Sequence, residues 1–178
     1  MTIEAFMITC VARESVLADT IRSLEASWSH GSPRLIWDPS TPDTPKLVRI
    51  YANWSRMLHH GGNSQADFVL LLEDDLMFPA DFGSRLDALA ASHRGDAQVA
   101  ISLYQPDGKP GFLGGQAWLM RPITCRYILA QEASEVSLHW DIKLPRIAAR
   151  ACHVEQVGLV QHVGVSTWGG PEHHAVAP

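Results

Sequence analysis

A chain of 178 residues with 46% hydrophobic and 19% charged residues is long enough to bury a real core as one domain, and this composition excludes a disordered chain. The formal charge of −5 argues against a broad nucleic-acid-binding face, which needs basic surface. Three cysteines, Cys10, Cys125 and Cys152, are odd in number and show neither metal nor redox spacing, so reduced, buried thiols and a reducing compartment are expected.

The first residues alternate apolar and polar without a basic region leading into a long apolar one. That pattern predicts no signal peptide and no membrane span, and hence the cytoplasm. Ile3–Val11 reads as a first buried strand, and Ser15 as the cap of a helix carrying Val16, Leu17, Ile21 and Leu24 at helical spacing. Arg34–Asp38 is a short strand, and Pro39, Pro42 and Pro45 mark a loop. Leu47–His60 returns to helical periodicity through Val48, Tyr51, Trp54, Met57 and Leu58, with Gly61-Gly62 expected to stop it. His59 and His60 then read as cations near a helix C-terminus.

Next comes Asp67–Pro79, D-F-V-L-L-L-E-D-D-L-M-F-P. Phe68–Leu72 is an unbroken apolar run with the length of a strand buried on both faces. A helix is expected over Ala80–His93, a strand over Gln98–Tyr104, and a loop over Gln105–Gly115. Gln116–Arg121 is a strand and Ile123–Glu132 a short helix. Ile142–Ala151 is another helix, with Pro145 in its first turn, and Val154–Val163 a last strand. The alternation predicts an α/β three-layer sandwich with a mostly parallel central sheet, one domain over residues 1–168 and a flexible tail over 169–178.

Glu73, Asp74 and Asp75 directly follow the greasiest strand. Three like charges there repel one another and resist desolvation. Either a cation sits against them, at the strand end where α/β sheets bind ligands, or they form a solvated acidic turn. Other polar residues at strand or helix ends are Asp38, Asp141 and His162. Carboxylates are hard ligands for a divalent ion carrying a phosphate ester, and an imidazole in the same shell tilts the choice from magnesium toward manganese. No G-x-x-x-x-G-K-[ST], H-E-x-x-H, G-x-S-x-G or early G-x-G-x-x-G is present.

Together L-L-L-E-D-D-L, G-G-Q-A-W, H-W-D and V-Q-H-V-G, in this order, resemble the glycosyltransferases of the GT-A fold, a Rossmann-like nucleotide-diphospho-sugar transferase fold. The likeness is greatest to members with an E-D-D form of the D-x-D motif, such as the N-acetylglucosaminyltransferases of N-glycan branching. It implies a Mn2+ (or Mg2+) ion bound by Asp75 and His162, and a nucleotide-sugar donor, UDP-linked in most such enzymes. Glu73 and Asp74 would face the donor's ribose or sugar, or orient the metal's waters. Gly114 and Gly115 would pass close to the donor sugar, while Asp38, the Thr9–Arg13 turn and Asn53 would border the nucleoside. Asp141 would be the base that takes the acceptor's proton in an inverting displacement.

The residues alone leave alternatives open. Asp141 also suits a helix cap, and His162 a hydrogen-bonded core position. Arg13 suits a surface salt bridge as well as a phosphate, and the glycines of 111–115 a tight turn. Trp140 is either core or an apolar platform for a sugar ring. A nucleotidyltransferase, or a sugar- or calcium-binding module without turnover, is the rival function.

Overall fold

The computed structural model describes residues 1–39, 43–105, 115–134 and 139–163. In chain order the elements are β1 (Ile3–Thr9), α1 (Glu14–Ser27), β2 (Arg34–Trp37), α2 (Lys46–Gly62), β3 (Phe68–Glu73), β4 (Leu76–Met77) and α3 (Phe82–Ser92). There follow β5 (Val99–Tyr104), β6 (Ala117–Met120), α4 (Pro122–Gln131), α5 (Trp140–Ala148) and β7 (His153–His162). Most of the loop over 105–115 and the tail expected over 169–178 lie outside the described residues.

The strands form one seven-stranded sheet in the order β2-β1-β3-β6-β5-β7-β4. β1 runs parallel to β2 and β3, and β5 runs parallel to β7. β6 is antiparallel to both β3 and β5, and β4 is antiparallel to β7. The sheet is therefore mixed: β1, β2, β3, β5 and β7 run in one direction, and β6 and β4 in the other. A parallel return needs a crossover, usually a helix, and the sequence between β5 and β6 carries no helical pattern.

β3 is the centre of the packing. Its residues Phe68–Leu72 are all fully buried, and their side chains alternate between two cores. Phe68, Leu70 and Leu72 pack with Leu17 and Leu24 of α1 and Phe82 and Leu86 of α3. Val69 and Leu71 pack with Trp54 and Met57 of α2, Ile128 of α4 and Leu144 of α5. Helices thus cover both faces, and each fully buried side chain of this kind contributes about 1.5–3 kcal/mol.

Four local expectations change or are refined. Ser15 does not cap α1: a 3-10 turn over Val11–Arg13 precedes the helix, whose first residue is Glu14. The helix α2 ends at the expected glycine pair, with Asn63 as its cap, but includes Gly61 and Gly62 as its last two residues. A Cβ there would stand 3.1 Å from Cys125 Sγ and 3.0 Å from Arg126 Cγ, so the two glycines let α4 approach the helix. Pro145 is the sixth residue of α5, beyond its first turn, because that helix begins at Trp140. The short strand β4 has no counterpart in the sequence pattern, since two residues carry no readable period.

Gly83 gives a prediction of sign. In an exposed helix interior, Gly→Ala gains about 0.8–1.0 kcal/mol. At Gly83, however, a Cβ would fall 2.4 Å from the backbone oxygen of Ser27, where α3 meets the end of α1. Gly83→Ala is therefore expected to destabilise by about 1–3 kcal/mol, read as a lower urea midpoint.

Candidate functional site

The site is built at the carboxyl end of β3. Glu73 N donates to Gln116 O at 2.9 Å, which carries the β3–β6 pairing to the edge of the acidic cluster. Thr20 of α1 then fixes the turn: its hydroxyl donates to Asp74 O at 2.8 Å and accepts from Leu76 N at 3.2 Å. β4 pairs Leu76 with His162, and Val163 N donates to Asp75 O at 2.8 Å. This two-residue strand is what carries His162, 87 positions away in sequence, to Asp75.

Asp74 and Asp75 are buried, and the chain supplies Arg13 as a cation for both. Asp74 accepts from the Thr9 hydroxyl at 2.6 Å and pairs with Arg13 Nε at 3.0 Å. Asp75 pairs with the Arg13 guanidinium and with His162 Nε2, the latter at 2.7 Å. Arg13 is thus neither a surface salt bridge nor an outward-facing residue but a buried counter-ion, only 8% exposed. Burial works against its charge, yet Asp75 and Asp74 together raise its pKa.

The three carboxylates titrate differently for physical reasons. Burial pushes Glu73 up to about 7, with the Asp75 charge adding to it and His162 and Arg13 opposing. Burial also raises Asp74, against the pull of Arg13 and the Thr9 hydroxyl. Burial would raise Asp75 too, but the His162 hydrogen bond and charge, and then Arg13, hold it below the usual carboxylate value.

One oxygen of Asp75, Oδ1, is buried without a hydrogen-bond partner. Donor atoms of Glu73, Asp75 and His162 lie within 4.8 Å of one another. An orphaned carboxylate oxygen inside a two-carboxylate, one-imidazole set suits a divalent cation, so the residues fit the ion that the resemblance implies.

Glu73 also opens onto a cavity of about 290 Å³ between β3, α2 and α5, lined among others by Trp54, Gly115, Gln116, His139 and Asp141. Asp141 is the second residue of α5; the cap position is His139, so Asp141 does not cap the helix. Gly115 runs beside it, where an added Cβ would lie 3.6 Å from Asp141 Cβ. Trp140 is a buried core residue: it stacks on Tyr51 at 5.5 Å and donates from Nε1 to Tyr51 O at 3.1 Å. Gln116 Oε1 is buried without a hydrogen-bond partner.

Asp38 and Asn53 do not line this cavity. The Asp38 carboxylate is held by Arg49 at 2.7–2.8 Å, while its backbone N–H donates to Thr9 O at 2.9 Å. Asn53 Oδ1 accepts from Arg56 on the same helix. Gly114 lies outside the described residues. Sequence reasoning overlooked Trp54, whose Nε1 donates to Glu73 Oε1 at 3.4 Å, and Thr20 and Gln116. Gln116 lies within the G-G-Q-A-W motif, so its place was readable; Trp54 and Thr20 look like ordinary helix-face residues.

No protein-family model and no curated protein matches the chain. Solved structures do. The apo form of the glycosyltransferase GlyE from Streptococcus pneumoniae TIGR4 superposes with a TM-score of 0.59 and 13% identity, over 86% of this chain and 45% of that one. A putative nucleotide-diphospho-sugar transferase from Desulfovibrio desulfuricans G20 gives 0.51 and 12%, over 89% of this chain and 80% of that one. A glycosyltransferase involved in the glycosylation of the major capsid of PBCV-1 gives 0.62 and 9%, over 93% of this chain and 95% of that one. The chain thus spans 45% of the apo GlyE chain and 58% of a second GlyE structure, but nearly all of the third protein. Among the described residues no helix is long and apolar enough to cross a membrane. At these identities the likeness speaks for architecture: the chain has a GT-A-like, nucleotide-diphospho-sugar transferase fold.

Proposed function

We propose that the protein is a metal-dependent glycosyltransferase that moves a sugar from a nucleotide-diphosphate donor, a UDP-sugar, to an acceptor hydroxyl with inversion. The observation that carries this reading is the position of Glu73, which belongs at once to the Glu73–Asp75–His162 donor set and to the cavity holding Asp141. A cation site and a carboxylate base are thereby neighbours across one small volume.

Asp75, Glu73 and His162 would hold the ion, manganese by the imidazole argument. When bound, it neutralises negative charge on the departing diphosphate. Arg13 and Thr9 keep Asp74 and Asp75 fixed and charge-compensated, so the donor set is pre-formed. Gln116 offers the buried acceptor Oε1 to a sugar hydroxyl, and Trp54 and Trp140 keep the cavity wall apolar against bulk water. Asp141 accepts the acceptor's proton on its carboxylate as the hydroxyl attacks, a role typically contributing about 10²–10⁴-fold. The UDP preference rests on the resemblance to GT-A enzymes.

The test is turnover. Incubation with a panel of nucleotide-sugars and manganese, without acceptor, is expected to release UDP slowly from one of them and to stop on adding EDTA. Binding of a nucleotide-sugar without any release would instead mark a non-catalytic module.

A further inference from the structure

At the opposite end of β7 a second cluster lies outside the site described above. His93, which follows the last residue of α3, places Nδ1 2.7 Å from Asp96 Oδ2 and Nε2 2.9 Å from Glu155 Oε2. His153 Nε2 lies 3.8 Å from the same Glu155 oxygen, and the two imidazole rings are 5.0 Å apart. His153 and Glu155 begin β7, whose other end carries His162; nine residues of strand put the two sites roughly 30 Å apart.

The hydrogen bonding around His93 asks for a cation. A neutral imidazole has one N–H donor and one lone pair, whereas this ring stands between two carboxylates. With the N–H given to Asp96, Nε2 presents a lone pair to Glu155, and two acceptors 2.9 Å apart need a proton or a metal ion between them. The surroundings favour a metal. A carboxylate on the far nitrogen is the usual way a ligating histidine is oriented and made more basic. The turn after α3 fixes that carboxylate, since Asp96 N donates to His93 O at 3.1 Å, and Arg121 also donates to the His93 carbonyl at 3.4 Å.

We propose that His93, His153 and Glu155 form a zinc site, with Asp96 as the orienting partner of His93 and water as the fourth ligand. Their ligand atoms lie within 4.8 Å of one another. In a tetrahedral zinc site neighbouring ligand atoms are roughly 3.3–3.5 Å apart, from metal–ligand bonds of about 2.0–2.2 Å. The pairs at 2.9 and 3.8 Å straddle that spacing and the third lies within 4.8 Å, so closure asks mainly for a shift of the exposed His153. Bound zinc ties the end of α3 to the start of β7, far from the cavity.

Zinc titration by calorimetry, in a His162→Gln background that removes the other donor set, tests the assignment. One zinc per chain is expected, with a rise in Tm and, for cobalt, the visible absorption of a four-coordinate ion. His153→Ala, at an exposed position, and Glu155→Gln, at a half-buried one, should fold and lose at least 100-fold in affinity. Asp96→Asn should lose about 10–100-fold. Zinc affinity unchanged in His153→Ala and Glu155→Gln, or no stoichiometric zinc at all, overturns the site and leaves His93 as a protonated bridge between Asp96 and Glu155.

Discussion

Replacing Arg13 by methionine is expected to destabilise the protein by about 3–5 kcal/mol, because breaking a buried ion pair from one side leaves uncompensated charge in the interior. Arg13 is the cation shared by Asp74 and Asp75, and all three side chains are at most 10% exposed. Methionine keeps most of the volume, so packing loss adds little. For a chain of this length each kcal/mol moves Tm by about 2–4 °C, which makes the expected fall on the order of 10 °C. The double variant Arg13→Met/Asp74→Asn should recover part of it, since removing a charge that Arg13 compensated removes part of the penalty. Contacting pairs of this kind couple by about 0.5–3 kcal/mol. Thermal and urea unfolding of the singles and the double measure this; additive losses would mean that Arg13 acts through something other than the carboxylates.

Asp141→Asn is expected to lower transfer to an acceptor by about 10²–10⁴-fold with little change in Tm. The amide keeps the size of the side chain but cannot take a proton, and Asp141 makes no capping bond whose loss would loosen α5. Metal-dependent nucleotide binding should persist, because the donor set lies on β3, the turn after it and β7 rather than on α5. The readout is therefore split: kcat falls while donor affinity stays. Equal loss of both would make Asp141 a donor-binding residue, and unchanged turnover would move the base elsewhere.

Much of this arrangement was legible before the structure, and the limits have physical causes. The apolar run Phe68–Leu72 announces a strand buried on both faces, because no half-exposed strand tolerates five successive large side chains. The acids after it could be read as needing a cation. That the chain itself supplies Arg13 as a cation and His162 as a hydrogen-bond partner could not, since both reach Asp75 through a turn and a two-residue strand. Gly61-Gly62 marks the end of α2 as expected, but its packing role was not readable. Glycine at a helix end is ordinary, but here the missing Cβ also lets Cys125 and Arg126 pack close against the last turn. The reversed direction of β6 and β4 was not readable, because periodicity carries no such information: β6 has the pattern of any buried strand, and pairing alone shows its direction.

The central claim is that Asp75, with Glu73 and His162, grips a cation that in turn grips a nucleotide diphosphate. Its most direct test is the thermal shift produced by UDP-sugars with manganese and with EDTA, on the unaltered protein and on Asp75→Asn. Ligand at 100 times its Kd stabilises by about 2.7 kcal/mol, a rise on the order of 5–10 °C. The account predicts that rise for one nucleotide class, with manganese only, and its loss in Asp75→Asn. An equal rise in EDTA, or a full manganese-dependent rise in the variant, contradicts it.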